Sequence, residues 1–342
     1  MKKYFSLLLI AAALTVSCEK QQETNQPLPK GKAVEFSAMS SVNTKTSYSG
    51  EAVGGKEAIN WVNLDRFSVW CDQAYVQDSD QKWATYKVNV SGSNVTISPN
   101  DPAVQLMWGE DETHTFYAGY PAEGLNKNIL SGEIPSSQKP TNSGERVFKP
   151  QLSTFGYMVA TAQATPDKGD VSLSFQPMFS NLEFTVGPGS STDVTVTGFR
   201  LKLAEGSKSA LAGKFSVTMD PSSEPKVTVD YDNASKEIEV NLGTVTIPKN
   251  GTLTFPVIAI AENLTDLTAV FTIKYGEGEA QNLELPLKKD GKSITFAAGR
   301  KSRINAPKIL GPEAQEAGIT AVIKEQGVDD YTIDVPDPEP EP

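Results

Sequence analysis

Histidine and cysteine are nearly missing from this chain of 342 residues, which contains one histidine, His114, and two cysteines, Cys18 and Cys71. A multi-histidine metal site is excluded, and one cysteine beside His114 cannot complete a zinc site. A Ser-His-Asp arrangement would rest on His114 alone. That residue falls in the alternating stretch HTFYAGYP (114–121), with Phe116 and Tyr120 on its own face, the setting of a core histidine. Cys71, in FSVWCD, reads as a small buried hydrophobe. With Cys18 at the end of an N-terminal apolar run, no disulfide can join two folded segments. No glycine-rich phosphate loop is present, since GEGE at 276–279 lies between two strand patterns and reads as a turn. Asp78-Ser79-Asp80 and Asp329-Asp330 lack the ligand spacing of a calcium loop. No stretch singles out a pair among the 42 acidic residues. These absences predict a chain with no catalytic residues, no metal and no cofactor. Basic residues are also short, 31 against 42 acidic, for a net charge of −11, so nucleic acid is excluded as a partner.

What is present begins with a secretory pattern. Met1-Lys2-Lys3 is followed by an apolar run over residues 4–16, too short to span a bilayer as a helix. It ends in LTVSCEKQQE, where the chain turns abruptly polar after Cys18. This resembles a bacterial lipoprotein signal, although Thr15 stands where leucine is usual. The resemblance implies removal of residues 1–17 and lipidation (palmitate-type acylation) of Cys18, with acyl chains contributing about 0.8 kcal/mol per buried methylene. The expected place is the outer membrane, facing outward. A soluble secreted chain cut near residue 17 is the alternative. Losing Lys2 and Lys3 takes the charge to about −13. Residues 18–32, with Pro27, Pro29 and Gly31, have little to bury and are expected to form a flexible stalk.

Beyond the stalk the hydrophobic period is two almost everywhere. Val34, Phe36 and Ala38 alternate with polar residues, as do Phe67, Val69 and Cys71, and Tyr86, Val88 and Val90. The second half repeats the idiom in VSLSF (171–175), NLEFTV (181–186), VTVTGFRLKL (194–203) and later runs. Helical periodicity is nearly absent. Short strands about ten residues apart, punctuated by Gly, Pro, Asn and Asp, predict an all-β chain of antiparallel, Greek-key sandwiches. The length predicts two tandem domains, over 33–170 and 171–310, with residues 311–342 forming a strand pair and an acidic, proline-rich tail. Of the four tryptophans, Trp61 and Trp70 are expected in the core.

Several stretches together resemble the fimbrillin-like family, the lipoprotein pilins of type V pili in the Bacteroidales. They are the signal ending at Cys18, TKTSYSG (44–50), INWVNLDRFSVW (59–70), HTFYAGYP (114–121), VSLSFQPMFSNLEFTV (171–186) and FAAGRKSRINAPKIL (296–310). The family implies two transthyretin-like domains, no catalysis, and assembly into surface fibres with other fimbrillin-type subunits, in contact with host or bacterial surface ligands. It further implies that a trypsin-like protease cuts after a basic residue and removes the first strand, whose place a strand from another subunit takes. Here the removable strand carries Val34, Phe36 and Ala38, and the cut falls between Lys45 and Thr46, with lysine where many members have arginine. Leu64 is a second departure, at a turn position often held by a small residue or glycine. Lys45 as an ordinary solvated loop residue is the other reading. Near the opposite end Tyr331, Ile333 and Val335 alternate like the removable strand and form the expected donor, or else fold back on their own domain. A surface glycan-binding lipoprotein is the alternative function.

Overall fold

The computed structural model describes residues 31–40, 45–53, 56–91, 94–189, 192–289, 292–311, 322–326 and 330–334. Cys18 and Val335 lie outside them. The chain is all-β as expected; one four-residue α-helix, Leu152–Phe155, and one short 3-10 turn, Pro166–Lys168, are the helical elements among the described residues.

A seven-stranded sheet dominates the first half, in the order Glu35–Ser40, Asp170–Pro177, Met158–Ala164, His114–Tyr120, Arg66–Trp70, Trp83–Ser91 and Asn94–Pro99. Its first pair is parallel and the others are antiparallel. The predicted alternation is what makes these strands two-faced. Ala84, Tyr86 and Val88 are buried while their neighbours are not, and Val171, Leu173 and Phe175 repeat the pattern. The inward side chains make an aromatic core in which Phe67 meets Phe175 with ring centroids 5.2 Å apart, and Trp61 meets Tyr120 at 5.5 Å. Trp61 is buried as expected, whereas Trp70 is half-buried and donates from Nε1 to Asp72 Oδ1 at 2.9 Å. The glycine-like turn position is a left-handed residue, Leu64 at φ 72°, held by the Val62 N–H donating to Asp65 Oδ2 at 2.6 Å.

In the second half two sheets face each other. One runs Thr141–Gly144, Val147–Lys149, Leu253–Ile260, Phe179–Val186, Lys301–Ala306, Asp330–Asp334 and Val322–Gln326; the other runs Ser137–Gln138, Glu237–Val240, Val194–Leu203, Leu267–Tyr275 and Gln281–Pro286. Phe184 and Phe255 from the first meet Phe199 from the second at 5.1 and 4.7 Å, and Phe271 lies 4.8 Å from Phe199. This is the packing of a β-sandwich.

Two placements differ from the linear division expected at 170/171. The strand Asp170–Pro177 belongs to the sheet of the first half, so the chain leaves that sheet at Met178, not at residue 171. In the other direction, residues of the first half cross over. Ile129–Ile134 pairs with Gly213–Asp220, Ser137–Gln138 runs parallel to Glu237–Val240, and Val147 pairs with Thr254. The buried Gln138 closes this excursion, since its Nε2 donates to Ile258 O at 2.6 Å and its Oε1 accepts from Ile258 N–H at 3.0 Å. Buried residues of both halves consequently form one contiguous cluster. Alternation reports which face of a strand is apolar and is silent about which sheet the strand joins.

Candidate functional site

The N-terminal segment contributes the edge strand Glu35–Ser40 of the large sheet, and the fold shows how it is held. Residues 31–34 run antiparallel to the stretch around Met107. The Val34 N–H donates to Leu106 O at 2.8 Å, and the Trp108 N–H donates to Lys32 O at 3.0 Å, which draws the last residues of the expected stalk into the fold. The chain then changes partners. Glu35–Ser40 pairs in parallel with Asp170–Pro177, setting Phe36 beside Val171, Ala38 beside Leu173 and Ser40 beside Phe175. One short segment thus bonds both to the short strand Leu106–Met107, which pairs with Tyr75–Val76, and to the large sheet, and it also lies against the opposite edge strand, Asn94–Pro99, where the sheet curls round.

Burial follows the alternation. Val34 is 4% and Phe36 8% exposed, and Ala38 packs partly buried against the core. The Phe36 ring stands edge-on to Tyr86 at 4.8 Å and to Phe116 at 5.5 Å. On the outer face Ser37 Oγ donates to Asp170 Oδ2 at 3.2 Å. Beneath the strand lies an apolar floor of Tyr86, Phe116 and Leu173, all at most 2% exposed. Tyr86 is anchored there, because its hydroxyl accepts the Leu106 N–H at 3.0 Å and burial pushes the phenol upward from its ordinary pKa of 10.0.

Lys45 and Thr46 open the strand Lys45–Val53, which pairs with Lys56–Asn60. The pairing is irregular at this point, with Lys45, Thr46 and Ser47 all opposite Asn60 before the ladder resumes at Tyr48 and Ile59. A regular ladder does not begin until after the expected cut.

At the other end Tyr331 and Ile333 lie in Asp330–Asp334, which folds back on its own chain. It runs parallel to Lys301–Ala306, with Tyr331 beside Ile304, and antiparallel to Val322–Gln326. Both ends of the described chain therefore use one device, a short strand added in parallel to a sheet. The partners of these two strands are what sequence reasoning misses. Asp170–Pro177 carries a matching apolar alternation, the one signal that points to it, but a linear division of the chain places it in the second half.

His114 is fully buried, and its Nε2 accepts the Gly109 N–H at 3.0 Å. Desolvation is the main cause holding its pKa below the ordinary 6.5. Cys71 is buried, and its thiol is pushed from 9.0 up to about 11, chiefly by that burial. Neither is presented to solvent. Among the described residues no group of three or more His, Cys, Asp or Glu is arranged to hold a metal ion, and no helix is long and apolar enough to cross a membrane.

A family model described as fimbrillin-like matches residues 52–324. The chain is similar to solved structures of low identity. One is a protein from Bacteroides uniformis described as a candidate cell adhesion protein, at 16% identity over 79% of this chain and 91% of that one, with a TM-score of 0.49. Another of the same description, from Bacteroides fragilis, gives 10% identity, coverage of 91% and 99%, and a TM-score of 0.41. The tip fimbrial protein Mfa3 from Porphyromonas gingivalis, with a C-terminal truncation, gives 10%, 70% and 88%, and 0.32. No curated protein matches the chain.

Proposed function

The chain belongs to the fimbrillin-like family, and from that premise we propose that it is a non-enzymatic structural subunit of a surface fimbria, tethered to the outer membrane through lipid on Cys18 until its first strand is cut away. The observation that carries this reading is the edge position of Glu35–Ser40, bonded along one side to Asp170–Pro177 and covering an apolar floor. A cut between Lys45 and Thr46 separates Val34, Phe36 and Ala38, together with the tether, from the body. The bared side of Asp170–Pro177 then presents unpaired backbone groups above Tyr86 and Phe116, and an added strand satisfies both needs at once. The donor in this reading is the neighbour's strand with Tyr331, Ile333 and Val335, released from Lys301–Ala306 of its own chain. Such a contact is head-to-tail and does not close, so it propagates as a filament of fimbrillin-type subunits.

The test is to expose the folded chain to a trypsin-like protease and follow particle size by light scattering. The wild type should be cut and polymerise. Lys45→Ala should stay monomeric, and a chain ending at Leu310 should be cut without polymerising. A cut wild type that remains monomeric at high concentration, or a chain ending at Leu310 that polymerises equally well, refutes the strand-exchange reading.

A further inference from the structure

One buried group in the second sandwich has no partner where one is expected. The Asn181 side chain is fully buried, and neither Oδ1 nor Nδ2 makes a hydrogen bond. An orphaned buried carboxamide is costly, and native proteins retain few of them. Asn181 lies in Phe179–Val186 and is the direct parallel partner of Lys301 in Lys301–Ala306. Cross-strand partners share a face of the sheet, with Cβ atoms about 5 Å apart. The Lys301 side chain is 10% exposed, and its Nζ lies 3.1 Å from Oε2 of Glu183, two residues along on the Asn181 strand. Glu183 is itself steadied by Arg303, whose Nε donates to Oε1 at 3.2 Å. An amine, a carboxamide and a carboxylate are thus gathered on one face of two adjacent strands, with the carboxamide shut away from water.

We infer that Lys301 and Asn181 react with each other to form an intramolecular isopeptide bond, with Glu183 as the proton carrier. Lys301 gives a proton to Glu183, and the neutral amine adds through its lone pair to Asn181 Cγ. Glu183 passes the proton to Nδ2, the Cγ–Nδ2 bond breaks, and the added nitrogen loses its surplus proton. The ammonium side chain and the carboxamide become one secondary amide plus ammonium, with the carboxylate restored and no oxidant, reductant or co-reactant consumed. A rotation of the flexible lysine stem from Glu183 toward its cross-strand partner brings the reacting atoms together. Ordinary carboxamides resist amines in water. Here the pair is held together by the ladder, which removes the entropic cost of encounter. The product ties the strand that opens the second sandwich to the one from which the terminal strand hangs. In a filament that link would carry tension covalently; this use rests on the fimbrial reading, and the bond does not.

The experiment is the intact mass of the purified full chain, followed by proteolysis and sequencing of the peptides. The expected result is a mass lower than that calculated for the isolated chain by one ammonia, and a branched peptide joining the segments that contain Asn181 and Lys301. Lys301→Arg keeps the charge beside Glu183 and should restore the full mass. Asn181→Asp should lose one water in place of ammonia, and Glu183→Gln should leave most molecules unlinked. An undiminished mass in the folded wild type overturns the inference, with Asn181 then left to a buried water. So does an ammonia loss that persists in Lys301→Arg, because that is backbone cyclisation at an asparagine. Polymerisation plays no part in these readouts, so failure here leaves the fimbrial reading standing.

Discussion

Replacing Phe36 by alanine is expected to loosen the first strand while leaving the body behind it folded. Phe36 is 8% exposed, and its ring meets Tyr86 at 4.8 Å and Phe116 at 5.5 Å. Truncating a buried phenylalanine costs about 3–5 kcal/mol, and an edge position favours the lower end. Tyr86 and Phe116 keep other ring partners, Phe67 at 6.0 Å and Trp108 at 5.5 Å, so the floor is not dismantled. With about 1.4 kcal/mol for each factor of ten, a loss of about 3 kcal/mol raises the detached population roughly a hundredfold. The assay is native-state hydrogen exchange, comparing amides of Glu35–Ser40 and Asp170–Pro177 with those of the central strand His114–Tyr120. The first two should exchange faster by about that factor, and cutting after Lys45 should accelerate with them. If His114–Tyr120 accelerates equally while the global unfolding midpoint falls, the first strand is part of one cooperative unit, and the idea of a separable strand is wrong.

Two further outcomes test the rest of the fold. Gln138→Leu deprives Ile258 N–H and C=O of their partners at a buried site, so it should lower unfolding stability by about 2–4 kcal/mol in urea, and a loss below about 0.5 kcal/mol would show that the excursion is not clamped there. Burial raises the Cys71 thiol from 9.0 to about 11, so its contribution is complete below pH 9.0 and is lost as pH rises through about 11. The wild type should therefore lose up to about 2–3 kcal/mol more than Cys71→Ala over that window in urea titrations, and parallel curves would refute the assignment.

Much of the first strand is legible in the residues themselves. The alternation of Val34, Phe36 and Ala38 states which side chains turn inward, and burial follows it in kind, Ala38 least. His114 and Cys71 likewise read as core residues from their place in alternating runs, and they are buried. The all-β class comes from the same source, because a period of two is a local steric property that each strand writes into its own residues. The cut proposed at Lys45 rests on the family resemblance, since nothing in local periodicity distinguishes that residue from the other lysines of the chain.

Partnership is not legible. Val171, Leu173 and Phe175 advertise an apolar face but not that their strand closes the first sheet, and Ile129–Ile134 shows no trace of its pairing with Gly213–Asp220. Asn181 and Lys301 likewise meet only through the parallel register of their strands. The sequence by itself determined the all-β class, the inward faces of the alternating strands and a histidine and cysteine content too low for a multi-histidine or zinc site. Only the tertiary structure decided the sheet orders, the excursion of residues 129–149 and the parallel seating of both terminal strands. Side chains encode a face locally, whereas every strand offers nearly the same backbone donors and acceptors, so the choice of neighbour is made only when all faces are buried together.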